Sequence, residues 1–149
     1  MITVSYEEIP TLAGRDLGYS DYLEVTQERI NTFAEATGDF QYIHVDSERA
    51  KSGPFGTTVA HGLLTLSLAV PMRAELLQVD GQGAKVSYGF EKVRFVSPVP
   101  AGIRIRLRAT VAAAVEVTGG YQLTVDEVTE LENGEKPAVV ARVVFRFYA

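Results

Sequence analysis

The segment from Val59 to Leu68 reads Val-Ala-His-Gly-Leu-Leu-Thr-Leu-Ser-Leu, and as a helix it is apolar on nearly every face. A helix with no polar face has to be buried on all sides. The run is interrupted by His61, Gly62 and then Pro71, and it is too short to span a bilayer, so protein must do the covering. Thr57 or Thr58 is placed to cap its start. Pro71 either ends it or kinks it, because proline removes one hydrogen bond and clashes with the preceding turn. Ala74, Leu76 and Leu77 suggest that some helix resumes beyond that point.

The chain around this segment divides into a helical first half and a strand-rich second half. Ser5 and Glu8 have capping-box spacing and predict one short helical turn ending near Pro10. Residues 11–20 read as a loop, and Tyr22 to Val25 as a short strand. Thr26 is a good N-cap for a helix carrying Ile30, Phe33, Ala34 and Thr37 on one side, with Gly38 as its left-handed terminator. Asp39 to Val45 is then a connection, and Asp46 or Ser47 caps a single turn through Ala50. The Ser52-Gly53-Pro54-Phe55-Gly56 run breaks that turn. After Gly81 and Gly83 the apolar period changes from 3.6 to 2. Val86, Tyr88 and Phe90 alternate with small residues until the phase slips at Glu91-Lys92, as a β-bulge would make it. A turn at 97–102 precedes the cleanest half-buried strand, in which Ile103, Ile105, Leu107, Ala109 and Val111 alternate with Arg104, Arg106, Arg108 and Thr110. Turns at Gly119-Gly120 and Asn133-Gly134 separate two further strands, Tyr121 to Leu131 and Pro137 to Tyr148.

Four or more antiparallel strands, each with one apolar face, and one helix that needs covering have a common solution: an α+β fold in which a curled sheet wraps the helix. That is a hot-dog arrangement, although other α+β layouts also satisfy the burial. Such a sheet leaves an edge strand open. Pairing edges between two copies removes that liability and predicts a homodimer.

At 149 residues the chain is expected to form one domain, 1–149. Its net charge of -5 argues against nucleic acid or an anionic membrane surface as partner. The absence of cysteine excludes disulfides, a thiolate nucleophile and cysteine-based zinc sites, and it fits a cytoplasmic protein. The N-terminus shows no secretory signal. No metal-ligand cluster or nucleotide-binding glycine motif is evident, so neither a metal nor a redox cofactor is expected.

The residues able to do chemistry concentrate in 37–68, which holds both histidines, His44 and His61, together with Asp39 and Gly62. An acid, a base and a small residue at a helix start are the parts of an acyl-transforming site. Each also has an ordinary reading. Asp39, after a helix-ending glycine, can simply make an Asx-turn. His44 alone reads as a surface or satisfied histidine, and the three arginines as a solvated strand face rather than a site for coenzyme A phosphates.

The run Gly38-Asp39-Phe40-Gln41-Tyr42-Ile43-His44-Val45-Asp46, followed by Gly53-Pro54-Phe55-Gly56-Thr57-Thr58-Val59-Ala60-His61-Gly62, resembles the hydratase motif of MaoC-like proteins, the (R)-specific enoyl-CoA hydratases and 3-hydroxyacyl-thioester dehydratases. Residues 93–102 are similar to the strand and turn that follow the helix in that family. The likeness is strongest to the single-hot-dog branch that includes mycobacterial dehydratases and NodN-like proteins. It implies reversible hydration of trans-2-enoyl thioesters carried on coenzyme A or acyl carrier protein. It further implies that Asp39 and His44 activate water and shuttle the proton, and that the Gly62 backbone N–H polarises the thioester carbonyl. A histidine suits the proton transfer because imidazole ordinarily titrates near neutrality. His61 is expected to have a structural part, orienting the loop and Gly62. One departure is visible: many members carry Asn-Pro where this chain has Gln41-Tyr42.

Two other classes share these features. A hot-dog thioesterase would hydrolyse the same thioesters, but such enzymes commonly place an acid on the central helix, and Val59 to Val70 has none. A non-catalytic acyl-thioester-binding protein would keep the fold without turnover.

Overall fold

The computed structural model describes residues 1–149. Eight strands and five α-helices follow one another as β1 (Ile2–Ser5), β2 (Asp16–Tyr19), β3 (Leu23–Glu24), α1 (Gln27–Thr37), α2 (Tyr42–Val45), α3 (Ser47–Ala50), α4 (Gly62–Ser67), α5 (Ala69–Ala74), β4 (Leu77–Asp80), β5 (Ala84–Phe95), β6 (Arg104–Val117), β7 (Gly120–Leu131) and β8 (Val139–Tyr148). A 3-10 helix, Tyr6–Leu12, follows β1. It carries the expected Glu8 carboxylate on the Ser5 N–H but continues past Pro10 to Leu12.

The main sheet has the order β2-β6-β7-β8-β5, with β3 also pairing β6, and all of its pairings are antiparallel. Its inner face is the apolar half of the alternation: Ile105, Leu107, Ala109 and Val111 of β6 are fully buried, beside Leu123 and Val125 of β7 and Val143, Phe145 and Phe147 of β8. The slip expected at Glu91-Lys92 is present as a register shift between Phe90 and Lys92, and a second shift lies between Ser87 and Gly89.

The apolar helix lies against this face, and its start and its kink both differ from expectation. It begins at Gly62, not Val59, because residues 58–60 are held extended. The Val59 N–H donates to Ile43 O, the Ala60 N–H to Val99 O, and Val59 bridges Pro100. The β-branched run Thr57-Thr58-Val59 favours that extended path. Pro71 falls inside α5 and the break comes earlier, at Leu68. Proline has no N–H for the carbonyl four residues back, at Ser67, so the distortion sits in the turn before it. Helix does not resume at Leu77, which instead opens β4, paired in parallel with β1.

Leu64, Thr65, Leu68, Ala69 and Met72 are buried as expected. All-round burial does not hold for a single chain, however. Leu63 is 61% exposed and Val70 59% exposed, and Ser67 and Ala74 complete an open stripe. The edge strand β5 is open as well, with Val86, Tyr88, Phe90 and Phe95 all exposed.

One charged group is locked into the core. Glu127 of β7 accepts two hydrogen bonds from the Arg73 guanidinium of α5, from Nε and from Nη2 (3.0 Å to the latter), and both residues are buried. The guanidinium carbon lies 4.3 Å from the centre of the Phe145 ring, and Lys85 Nζ lies 4.8 Å from the same centre. Lys85 as a residue is open at the sheet edge, but its ammonium reaches inward. Desolvation there, aided by the Arg73 charge, holds its pKa below the ordinary lysine value.

Candidate active site

Two chain segments meet at the start of α4. The first leaves α1 through Gly38, which takes the left-handed conformation (φ 78°) with its N–H on Ala34 O, and it delivers Asp39 and then α2 with His44. The second is the extended stretch 58–61. The pairing of Val59 N–H with Ile43 O fixes their register, and side chains add two more links. His44 Nδ1 lies 2.7 Å from Val59 O, and His61 Nε2 lies 3.0 Å from Asp39 O.

A carbonyl oxygen can only accept, so these two contacts assign the tautomers. In its neutral form His44 carries its hydrogen on Nδ1 and presents a bare lone pair on Nε2. His61 carries its hydrogen on Nε2, which leaves Nδ1 as a bare acceptor, and that atom is buried with no partner. The two rings stack, and the His61 ring also meets Phe33 of α1 at 4.8 Å between centroids. A carboxylate oxygen of Asp39 and one ring nitrogen from each histidine lie within 4.8 Å of one another. The set has the composition of a two-histidine, one-carboxylate metal site. The sequence reading expected no metal-ligand cluster; the fold brings one together because Asp39 and His44 lie on one segment and His61 on the other.

Asp39 is exposed, and its Oδ1 accepts from the Gln41 N–H at 3.3 Å, so the Asx-turn reading of this residue is correct as geometry and leaves the second oxygen free. The Gln41 side chain is exposed and makes no hydrogen bond, so it does not stand in for the missing asparagine. Tyr42 packs beneath the Arg49 guanidinium at 3.9 Å and against Gly53, away from the histidines.

His44 and Gly62 both line a cavity of about 270 Å³, whose walls include Ile43, Phe55, Thr65, Phe95, Val99 and Val139. As the first residue of α4, Gly62 has an N–H with no acceptor inside the helix. Any Cβ at this position would stand 2.8 Å from Phe95 Cδ1, so only glycine fits under that ring as it lies. Leu63, Leu66 and Leu77 do not line the cavity; the strand residues Phe95 and Val139 do, together with Phe55. Phe55 falls in the 53–62 run and Phe95 in the 93–102 strand and turn, which is the signal the sequence carries for them.

The arginines of β6 face away from this site. Arg104 pairs with Glu132, Arg106 with Glu130 and Arg108 with Asp16, and these partners hold each guanidinium pKa above its ordinary value. They form the solvated face.

The family model for the MaoC like domain matches residues 8–133. The chain belongs to the MaoC-like dehydratase family. It is 43% identical over 146 residues to 3-hydroxyacyl-thioester dehydratase Z of Mycobacterium tuberculosis, covering 97% of both chains. It is 40% identical over 144 residues to Nodulation protein N of Rhizobium leguminosarum bv. viciae, covering 95% of this chain and 89% of that protein. The monoamine oxidase regulatory protein from Archaeoglobus fulgius superposes with a TM-score of 0.78 at 26% identity, covering 99% of this chain and 97% of that one. The MaoC-like fold is the hot-dog arrangement, with α4 and α5 as its wrapped helix. No helix in the chain is long and apolar enough to cross a membrane.

Proposed function

We propose that this MaoC-like chain catalyses the reversible hydration of trans-2-enoyl thioesters to (R)-3-hydroxyacyl thioesters. The observation that carries the reading is the 2.7 Å contact between His44 Nδ1 and Val59 O, at the wall of a cavity that Gly62 also lines. It commits the other ring nitrogen, Nε2, to accepting a proton. In this reading Asp39 and His44 hold a water molecule, His44 Nε2 takes one of its protons, and the oxygen adds to C3 of the enoyl group. The electron pair moves through C2 to the thioester oxygen, where the Gly62 N–H stabilises the charge, and C2 then takes up a proton from the same pair of side chains. General acid–base groups of this kind contribute about 10²- to 10⁴-fold. A positioned oxyanion donor contributes roughly 3 kcal/mol.

The thioesterase alternative wants an acid near the central helix. The one carboxylate buried against it, Glu127, is bound twice by Arg73 and is not free to act. Crotonyl-CoA separates the possibilities when enoyl absorbance and free thiol are followed in parallel. Loss of enoyl without thiol is expected. Thiol release would establish hydrolysis instead, and neither signal would leave binding alone.

The chemistry is the same whether coenzyme A or acyl carrier protein carries the acyl group. The working form is proposed to be a homodimer. The open edge of β5 and the stripe of Leu63 and Val70 leave apolar surface exposed, and a second copy would cover it. Light scattering after size exclusion should give twice the 16.2 kDa chain mass; a monomer would refute this assembly.

A further inference from the structure

We infer that Gln27 is the positioning residue that holds the two halves of the hydration site in register. The inference rests on the hydratase reading above and reaches beyond Asp39, His44 and Gly62. Gln27 is the first residue of α1, and its side-chain amide spans both segments. Its Nε2 donates to His44 O at 2.7 Å and to Asn31 Oδ1 at 2.9 Å, while its Oε1 accepts from Thr58 Oγ1 at 2.6 Å. Both amide protons and one lone pair are therefore used. Thr58 is buried and lies one residue before Val59, whose carbonyl fixes the His44 tautomer.

The remaining links between the segments are made by the segments themselves. Gln27 is the side chain of the eleven-residue helix α1 that hydrogen-bonds to both segments. Without it, residues 57–61 keep their hydrogen bonds to Val99 and Ala101, but the main chain at His44 loses its side-chain anchor on α1, and the ring can shift against Val59 O and the cavity. A misplacement of about 1 Å at a reacting centre can cost around 100-fold in rate. A carboxamide is required, since the contact at His44 O needs a donor and the contact at Thr58 needs an acceptor. Glu supplies only the second and Met neither.

The test uses Gln27→Met, Gln27→Glu, Thr58→Val and Thr58→Ser, with crotonyl-CoA turnover and the ring-nitrogen NMR spectrum measured on each folded variant. For Gln27→Met, Gln27→Glu and Thr58→Val the expected result is a kcat about 10- to 100-fold lower with KM within about twofold. The single Nδ1–H signature of His44 should become a tautomer mixture in the same variants. Thr58→Ser, which restores the hydroxyl, should recover both. Wild-type kcat and an unchanged His44 spectrum in Gln27→Met would overturn the inference, as would a Thr58→Ser variant no better than Thr58→Val. If the wild-type chain itself fails to turn over crotonyl-CoA, the hydratase reading fails separately, and the spectrum still decides whether Gln27 positions His44.

Discussion

The imidazole rings of His44 and His61 are stacked, with centroids 3.8 Å apart and planes 25° from parallel. Each is pinned to a main-chain carbonyl through a different nitrogen, so the two rings are expected to hold opposite tautomers. The chain has only these two histidines, so a ring-nitrogen correlation spectrum has two spin systems to resolve. One should show hydrogen on Nδ1 and the other on Nε2. Two identical patterns would contradict the assignment.

Removing either acid–base group should stop turnover without disturbing the fold. Asp39→Asn and His44→Ala are each expected to lower kcat by about 10²-fold or more while circular dichroism stays native. His61→Ala loses the stack and the tie to Asp39 O but no reacting atom, and its expected loss is smaller, about 10-fold to 100-fold. Wild-type turnover in Asp39→Asn or His44→Ala would remove that residue from the mechanism.

Gly62→Ala sets two effects against each other. Alanine in place of a helical glycine contributes up to about 1 kcal/mol of stability. Its Cβ, however, meets the Phe95 ring at 2.8 Å, and overpacking costs about 1–3 kcal/mol. The net expectation is a less stable, less active protein. Phe95→Ala in the same chain should recover much of the lost stability, measured as a double-mutant cycle in urea. Additive behaviour would show that the contact is not what excludes a side chain.

The Arg73–Glu127 pair is a liability when halved. Glu127→Ala leaves a buried guanidinium uncompensated and should cost about 3–5 kcal/mol. At roughly 2–4 °C per kcal/mol for a chain of this size, the melting temperature should fall by about 6–20 °C. Replacing both partners at once, Arg73→Met with Glu127→Leu, should recover most of that loss.

Lys85 gives the stability a slope at alkaline pH. Desolvation first, and then the Arg73 charge, hold its folded pKa below the ordinary value of 10.5. Between those two values the unfolded chain binds more protons, so this group's contribution to stability rises with pH through that window. Lys85→Met should remove that part of the slope. Urea midpoints of wild type and variant, compared between pH 8 and 11, read it directly, and parallel curves would refute it.

The period-2 alternation announced β6, β7 and β8 plainly, because long strands with one buried face repeat the signal many times. β1, β2 and β4 were not legible: each has four residues, too few to establish a period, and β1 and β4 find each other only across the fold. The helix start was misplaced for a related reason. Val59 and Ala60 continue the apolar pattern of α4, yet their N–H groups are taken by Ile43 and Val99 from elsewhere in the chain. At the site, Asp39, His44 and Gly62 stood out through the spacing of two motifs. Gln27 did not, because a glutamine at the first turn of a helix is unremarkable until its two distant partners are known.

The oxygens that assign the histidine tautomers, Val59 O and Asp39 O, belong to peptide groups rather than to side chains. This part of the site is therefore inherited with the path of the chain. A mutational scan at position 59, proline aside, would test only packing, since every such substitution keeps both the carbonyl and the N–H. At position 39 a scan would register the loss of the carboxylate and pass over the second task, which the main chain at the same residue goes on performing.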